Sequence, residues 1–294
     1  MTGTVPGSAP VDDALEEWRA VLARRASFRE TLAPCEPLLQ AWAAWRSEGP
    51  APVWAMEECR RVWSKGEALL GRAQPRLSNA DLEPVLGPAL DGLAAIGVDV
   101  EALRTFGELW DAGSVTLQDL FPAPGRLGAG WLPERTHLSV ESVGYLAVAA
   151  LRPVLTWFFV AARAHFDAGA WGRGVCPFCG APPGFAELQE DGQRRLSCHA
   201  CGGAWIFSRT RCPLCGTMDL GQQIRLVPEG LAEEGYAITA CKSCGGYLKE
   251  LDRRARWNAG SAIVEDWGSP HLDLVARRAG YWRPVPVLVT AGDD

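Results

Sequence analysis

Eight of the ten cysteines stand in four Cys-x-x-Cys pairs: Cys176/Cys179, Cys198/Cys201, Cys212/Cys215 and Cys241/Cys244. Eighteen residues separate the first two pairs and twenty-five the last two. Two residues between thiolates let both sulfurs of a pair face one ion, and a second pair completes a tetrahedron. Each pair is followed by a glycine: Gly180, Gly202, Gly216 and Gly245. A knuckle folded around a metal tends to need positive φ just after its second cysteine, and glycine supplies this without steric cost. The same bend aims backbone N–H groups at the sulfurs and spreads their charge. Pro177 and Pro213 fix φ inside two of the pairs. The expected chemistry is metal binding by all eight cysteines, with each ion held by two successive pairs; interleaved pairing is left open.

Two other chemistries use cysteine pairs. A thioredoxin-like redox site needs one pair in a βαβ setting, not four pairs among hairpins. A disulfide framework needs an oxidising compartment. The opening residues, MTGTVPGSAPVDDALEEW, show neither a basic region nor an apolar run, so the expected location is cytoplasmic. Four thiolates close the coordination shell and leave no position for water or substrate, so no catalytic role is expected of either site. Tetrathiolate sites suit both zinc and iron. Lys242, Lys249, Arg209 and Arg211 lie near enough in sequence to offset some of the charge. His199, inside CHAC, reads as an exposed loop histidine. Cys35 and Cys59 fall on apolar helical faces and read as core. No phosphate loop, nucleophile elbow or dinucleotide fingerprint is present.

The elements that must position these pairs divide the chain. Residues 1–10 read as a flexible tail. Residues 11–168 carry about six helices by periodicity, beginning with VDDALEEWRAVLARRASF, where Leu15, Trp18, Val21 and Leu22 share a face. Pro84 and Pro88 argue against a straight helix over NADLEPVLGPALDGLAAIG. The Pro/Gly-rich stretch Pro122–Leu138 reads as a connection that is mobile or covers a groove. Val143–Phe166 is the most apolar segment, but Arg152 and Pro153 interrupt it. Neither half reaches the roughly 20 apolar residues of a membrane span, which leaves a buried helix.

Past Gly169 the pattern changes to short β-like segments that repeat: CPFCGAPPGF…RRLSCHACGGAWIF aligns with CPLCGTMDLG…AITACKSCGGYLKEL. The repeat gives a first metal ribbon at 169–206 and a second at 207–256. A tail at 257–294 carries a short helix around Leu272–Ala279. The fold class expected is α+β: an all-helical N-terminal domain, two small rubredoxin-like or zinc-ribbon β units, and a short C-terminal helix.

Net charge is −6 overall but uneven. Residues 1–170 hold 15 Lys+Arg against 21 Asp+Glu, and residues 171–260 hold 11 against 9. A nucleic-acid-binding zinc ribbon is the alternative function, with Arg194, Arg195, Arg253, Arg254 and Arg256 as phosphate contacts. The cysteine-rich part is too weakly basic to favour it, so no nucleic-acid partner is expected.

Helices followed by paired ribbons, with CPFCGAPP, RRLSCHACGGAW, SRTRCPLCG, ACKSCGGYLKEL and the tail VEDWGSPHLDLVARRAGYWRP, resemble the FdhE family of formate dehydrogenase accessory proteins. The resemblance covers about Val143–Pro284. It implies a cytoplasmic maturation factor, not an enzyme, that binds the catalytic subunit of an exported formate dehydrogenase, with that subunit's twin-arginine signal segment as a further contact. It also implies that Cys176, Cys179, Cys198, Cys201, Cys212, Cys215, Cys241 and Cys244 hold two ions, iron in the family, with zinc left open by the residues themselves. The tail departs from the family pattern at WGSP after Asp266, so Glu265, Asp266 and Asp273 are read as solvated or capping charges.

Overall fold

A computed structural model describes residues 11–228 and 233–287. The helical half runs through α1 (Val11–Arg24), α2 (Arg29–Leu32), α3 (Glu36–Ala44), α4 (Met56–Ser64), α5 (Glu83–Ala95) and α6 (Val100–Asp111). A two-strand hairpin, β1 (Pro122–Ala123) and β2 (Arg126–Leu127), leads into α7 (Leu132–Thr136), α8 (Val140–Phe158) and α9 (Val160–Arg163). Asp99 caps α6 by accepting from the Glu101 N–H at 3.0 Å, and Ser139 caps α8 by accepting from the Ser142 N–H at 3.0 Å.

The axis of this half is α8, the segment expected as a buried helix. Val143 through Leu151 are all buried, and the helix packs against α3, α5 and α7. Pro153 lies within it, as Pro88 lies within α5. Each proline removes an interior backbone hydrogen bond. Helicity persists because tertiary burial decides it: Val85, Leu86, Ala89 and Leu93 around Pro88 are all in the core. Among the described residues no helix is long and apolar enough to cross a membrane. The Pro122–Leu138 connection is anchored through buried Leu127, Leu132 and Leu138.

The cysteine-rich half forms one six-stranded sheet. Its strands are β3 (Phe185–Leu188), β4 (Arg194–Ser197), β5 (Ala204–Phe207), β6 (Gln223–Leu226), β7 (Tyr236–Cys241) and β8 (Tyr247–Asp252). Their order is β5-β4-β3-β8-β7-β6. Each repeat contributes an antiparallel three-strand meander, and the two join head to tail through the parallel pair β3–β8, registered Ala186↔Glu250 to Leu188↔Asp252. Among the described residues two helices follow the sheet, α10 (Ala262–Trp267) and α11 (Pro270–Arg278). The α+β class expected from the sequence, helices then paired ribbons then a C-terminal helix, is the fold found.

Burial divides differently from the sequence repeat. The main core joins the helical half to the first ribbon, including Phe178, Leu196, Trp205 and Phe207. A separate small core holds Tyr236, Ile238, Tyr247 and Leu251 of the second ribbon, with Phe185 of β3 and Leu272 and Ala276 of α11.

Candidate metal centres

All four knuckles share one local geometry. Gly180, Gly202, Gly216 and Gly245 have φ of 79°, 71°, 79° and 68°, as the spacing argument requires. Each glycine donates its N–H to the carbonyl of the knuckle's first cysteine, at 2.8–3.0 Å. The N–H of that cysteine donates to the carbonyl of the residue after the glycine, also at 2.8–2.9 Å. These local bonds make the turn independent of what surrounds it.

The sulfurs gather in two sets, Cys176/Cys179/Cys198/Cys201 and Cys212/Cys215/Cys241/Cys244, within each of which all lie within 4.8 Å of one another. Grouping is therefore by successive pairs. Across the second set, Cys212–Cys244 and Cys215–Cys241 are 3.9 and 3.8 Å apart. A tetrahedron with metal–sulfur bonds of about 2.3 Å has edges of about 3.8 Å. In the first set Cys176–Cys201 and Cys179–Cys198 are 3.4 and 3.5 Å apart, slightly inside that edge. Both sets are far from a disulfide bond of about 2.05 Å, and both can hold an ion.

The thiols' acidities also fit a cation. Burial pushes Cys176 and Cys179 well up. Against the same burial, hydrogen bonds from the other three thiols, helped by the Arg163 guanidinium, hold Cys201 well down. In the second set burial drives Cys244 up to about 12. For Cys241, burial is outweighed by the backbone N–H groups of Cys244 and Ser243 and by the Cys215 and Cys212 thiols, which bring it down to about 7. Each set thus favours negative charge at one sulfur, Cys201 or Cys241, while burial disfavours it at Cys176, Cys179 and Cys244.

Surroundings separate the two. In the first, every cysteine is buried. Phe178 inserts among Trp63, Phe159 and Phe166, with ring centroids 5.1–5.9 Å away. The helical half grips both knuckles: Leu69 N and Trp63 Nε1 donate to the Pro177 carbonyl at 3.2 and 3.0 Å, and Leu70 N donates to the Phe178 carbonyl at 2.8 Å. Arg152 Nη1 donates to the Cys198 and His199 carbonyls at 3.1 Å each, Thr156 Oγ1 to the Cys201 carbonyl at 3.2 Å, and Arg163 Nη2 to the same oxygen. In the second set Cys215 is exposed and Cys244 half-buried. Among the described residues its knuckle carbonyls accept from Trp282, through Nε1 at Cys244 (2.8 Å) and N at Gly245 (2.9 Å), and from Arg211 Nε at Gly216 (3.2 Å).

Several expectations need correction. His199 is buried, not an exposed loop residue, and its Nε2 lies 2.8 Å from Asp266 Oδ2. Glu265, Asp266 and Asp273 are buried, not solvated or capping. Asp266 is further bound by Arg283 and Lys249, at 2.9 and 3.1 Å. Asp273 accepts from Tyr247 Oη at 2.6 Å, Arg283 Nη1 at 2.9 Å and Lys249 Nζ at 2.5 Å. Burial opposes ionisation of Asp266, yet Arg283, Lys249 and His199 hold its carboxyl far below the usual range. Glu265 accepts from Tyr236 Oη and from the Gly260 N–H. Lys249, assigned above to charge compensation near the sulfurs, is spent in this network; at the first set that place is taken by Arg152 and Arg163. Cys35 and Cys59 are core, as expected, and burial pushes the Cys35 thiol up to about 12.

The arginines offered as phosphate contacts are engaged within the protein. Arg194 pairs with Glu250, Arg195 and Arg253 with the fully buried Glu187, and Arg254 with Asp252. Arg256 lies over the Tyr236 ring at 5.0 Å.

No protein-family model matches the chain. A protein named FdhE homolog from Aquifex aeolicus is 29% identical over 150 residues, covering 49% of this chain and 50% of that one. FdhE homologs from Pseudomonas aeruginosa and Stutzerimonas stutzeri are 33% and 32% identical over 129 and 121 residues. Each of these covers 40% of this chain, and they cover 40% and 38% of those proteins. The chain thus spans half or less of the length of the curated relatives it matches. Among solved structures, the crystal structure of the FdhE protein from Pseudomonas aeruginosa shares the fold. Its TM-score is 0.58 at 21% identity, over 98% of this chain and 100% of that one. These names support the FdhE resemblance read from the knuckles and the tail.

Proposed function

We propose that this protein is a formate dehydrogenase accessory protein that binds the catalytic subunit of an exported enzyme in the cytoplasm and assists its assembly, and that it is not itself a catalyst. In this reading Cys176, Cys179, Cys198 and Cys201 hold one ion, and Cys212, Cys215, Cys241 and Cys244 hold the other. The observation that carries the reading is the pair of closed four-sulfur sets on ribbons behind a helical half, in a chain whose curated relatives are named FdhE homologs. When bound, the ions supply a rigid scaffold, and iron would add one-electron chemistry. The protein's residues shape the knuckles, donate N–H bonds toward the sulfurs and keep water from the first set. Four sulfurs around each ion leave no position for substrate, which favours a binding role over hydrolysis. Nothing favours the nucleic-acid reading, since its five arginines all have internal partners.

The test is co-purification of the tagged protein with a formate dehydrogenase catalytic subunit at low salt, beside metal analysis of protein prepared without oxygen. Association and about two ions per chain are expected. Failure to associate would refute the client assignment, and absence of stoichiometric metal would refute the centres.

A further inference from the structure

Four thiolates around a divalent ion leave negative charge to be balanced, and two of the second set's cysteines, Cys212 and Cys241, are buried. Of the cations expected to offset that charge, Lys242 and Arg209 are exposed, Arg211 is only partly buried, and Lys249 is held in the Asp266 network. A different residue stands there. Arg194 begins β4 and is 3% exposed. It lines a crevice of about 20 Å³ together with Cys212 and Cys241, beside Leu214, Thr239 and Gly246. The residue belongs to the first ribbon, yet it borders the sulfurs of the second.

Arg194 has no acid to itself. Its Nε lies 3.4 Å from Glu250 Oε2 on β8, but Arg225 Nη2 lies 3.3 Å from the other oxygen of the same carboxylate. Two guanidinium cations share one carboxylate, so one positive charge is left over. Nη2 of Arg194 donates to Thr239 Oγ1 at 3.0 Å, a neutral partner, and its buried Nε makes no hydrogen bond. Burial lowers the pKa of Arg194; Glu250 and then Cys212 favour its cation, and Arg209 and Arg225 oppose it. After Glu250, therefore, the group that most favours this charge is a thiol of the second set.

We infer that Arg194 is the buried counter-charge of the second metal centre and sets how tightly that centre holds its ion. The inference rests on the metal reading above and adds to it a residue from the other ribbon. Arg194 is a positioning residue, not a ligand: it acts through its field at the sulfurs, which is screened little where water is excluded. It does for the second set what Arg152 and Arg163 do for the first.

The test equilibrates the full, zinc-loaded chain with graded concentrations of a chromophoric chelator, so that the two ions are read as separate steps. Cys215→Ser, which lacks the second site, identifies the step that belongs to it. Arg194→Met keeps the length and loses the charge; it should weaken the second ion about tenfold and leave the first unchanged. Arg194→Lys should recover most of that loss, since it restores the charge. Glu250→Gln separates charge from packing, because it keeps the shape and removes the anion that competes for Arg194. It should tighten the second ion by about threefold. If Arg194 served only to pair Glu250 and brace the ribbons, Glu250→Gln would loosen the ion as Arg194→Met does. That outcome overturns the inference, as does equal loosening by Arg194→Met and Arg194→Lys, or no effect of either. Should Arg194→Met not fold, the sign seen with Glu250→Gln decides alone. A wild-type chain that binds no second ion refutes the metal reading itself, whereas binding that ignores Arg194 refutes this inference and leaves the centre standing.

Discussion

Phe178 and Leu214 occupy equivalent places in two copies of one knuckle, CPFC and CPLC. The first is fully buried among three aromatic rings of the helical half, and the second is only half-buried. The same contrast runs through both centres. Hydrogen bonds from Trp63, Leu69, Leu70, Arg152, Thr156 and Arg163 cross from the helical half to the carbonyls of the first pair of knuckles. At the second, Cys215 is exposed and the anchoring groups, Arg211 and Trp282, lie in or beside the ribbons. The repeat therefore fixes the local shape of a metal knuckle, while the neighbours decide what it does. The first centre is part of the main core, and the second is a peripheral unit with its own small one.

The largest effect that can break this comparison is loss of one sulfur. Structural tetrathiolate sites contribute on the order of 10 kcal/mol of folding energy. Cys198→Ser should lose its ion and take the helical half with it, lowering the midpoint of helix melting by more than about 10 °C. Cys215→Ser should lose one ion of two and leave helix melting nearly unchanged. Metal content and circular dichroism on the two variants check both. Equal melting behaviour would mean that the two centres are equally embedded.

The next effect comes from the buried charges that bridge the regions. His199 lies in a first-centre knuckle and Lys249 on β8 of the second ribbon, and Asp266 of α10 binds both. Removing one partner of a buried pair costs about 3–5 kcal/mol, so Asp266→Asn should destabilise the chain by that much in denaturant titrations. The pH dependence has a definite sign. The folded carboxyl is held far below its unfolded value of about 3.9. Its stabilisation is thus fully present above about pH 4 and is lost as pH falls from there toward the folded value. The gap between wild type and Asp266→Asn should be constant above pH 4 and close below it. A gap that persists in acid would show that the carboxylate's charge is not what matters.

This network also marks where the sequence stops being legible. The knuckles and their glycines are local facts, set by two-residue spacing and backbone geometry, and they could be read directly; the grouping of pairs 18 and 25 residues apart was only favoured by the repeat, with interleaving left open. The class of the fold followed from a switch in periodicity near Gly169. The burial of Asp266 could not be read, because its partners Lys249 and Arg283 stand 17 residues to either side and His199 stands 67 away. A charged residue without a visible partner is by default placed in solvent. Arg152 misled in the same way: it looked like a flaw in an apolar segment, and its purpose lies in carbonyls 46 and 47 residues later. One signal was available, since a lone arginine in the middle of a buried helix implies an acceptor nearby.

A smaller effect concerns access. Outer hydrogen bonds around metal sites typically alter affinity by about 10–100-fold, and the first centre has more of them as well as complete burial. A competing chelator should therefore remove the second ion about tenfold faster than the first, in two resolved phases. Arg152→Met should speed only the slow phase. A single phase of two equivalents would contradict the difference in burial.

The finest comparison removes one hydrogen bond from each side. Thr156 Oγ1 donates to the Cys201 carbonyl at 3.2 Å, and Trp282 Nε1 to the Cys244 carbonyl at 2.8 Å. Thr156→Val keeps the shape and deletes the donor, and Trp282→Phe does nearly the same. A single neutral hydrogen bond is worth about 0.5–1.5 kcal/mol. The longer bond sits in the core, where the abandoned carbonyl still receives Arg163. The shorter one sits beside a half-exposed indole, where water can replace it. Thr156→Val should therefore lower global stability slightly and leave release of the second ion untouched. Trp282→Phe should leave global stability unchanged and accelerate only that release, by a factor of about two to five. Crossed effects, with either variant altering the other centre, would mean that the parallel β3–β8 pair transmits more between the ribbons than their separate cores suggest.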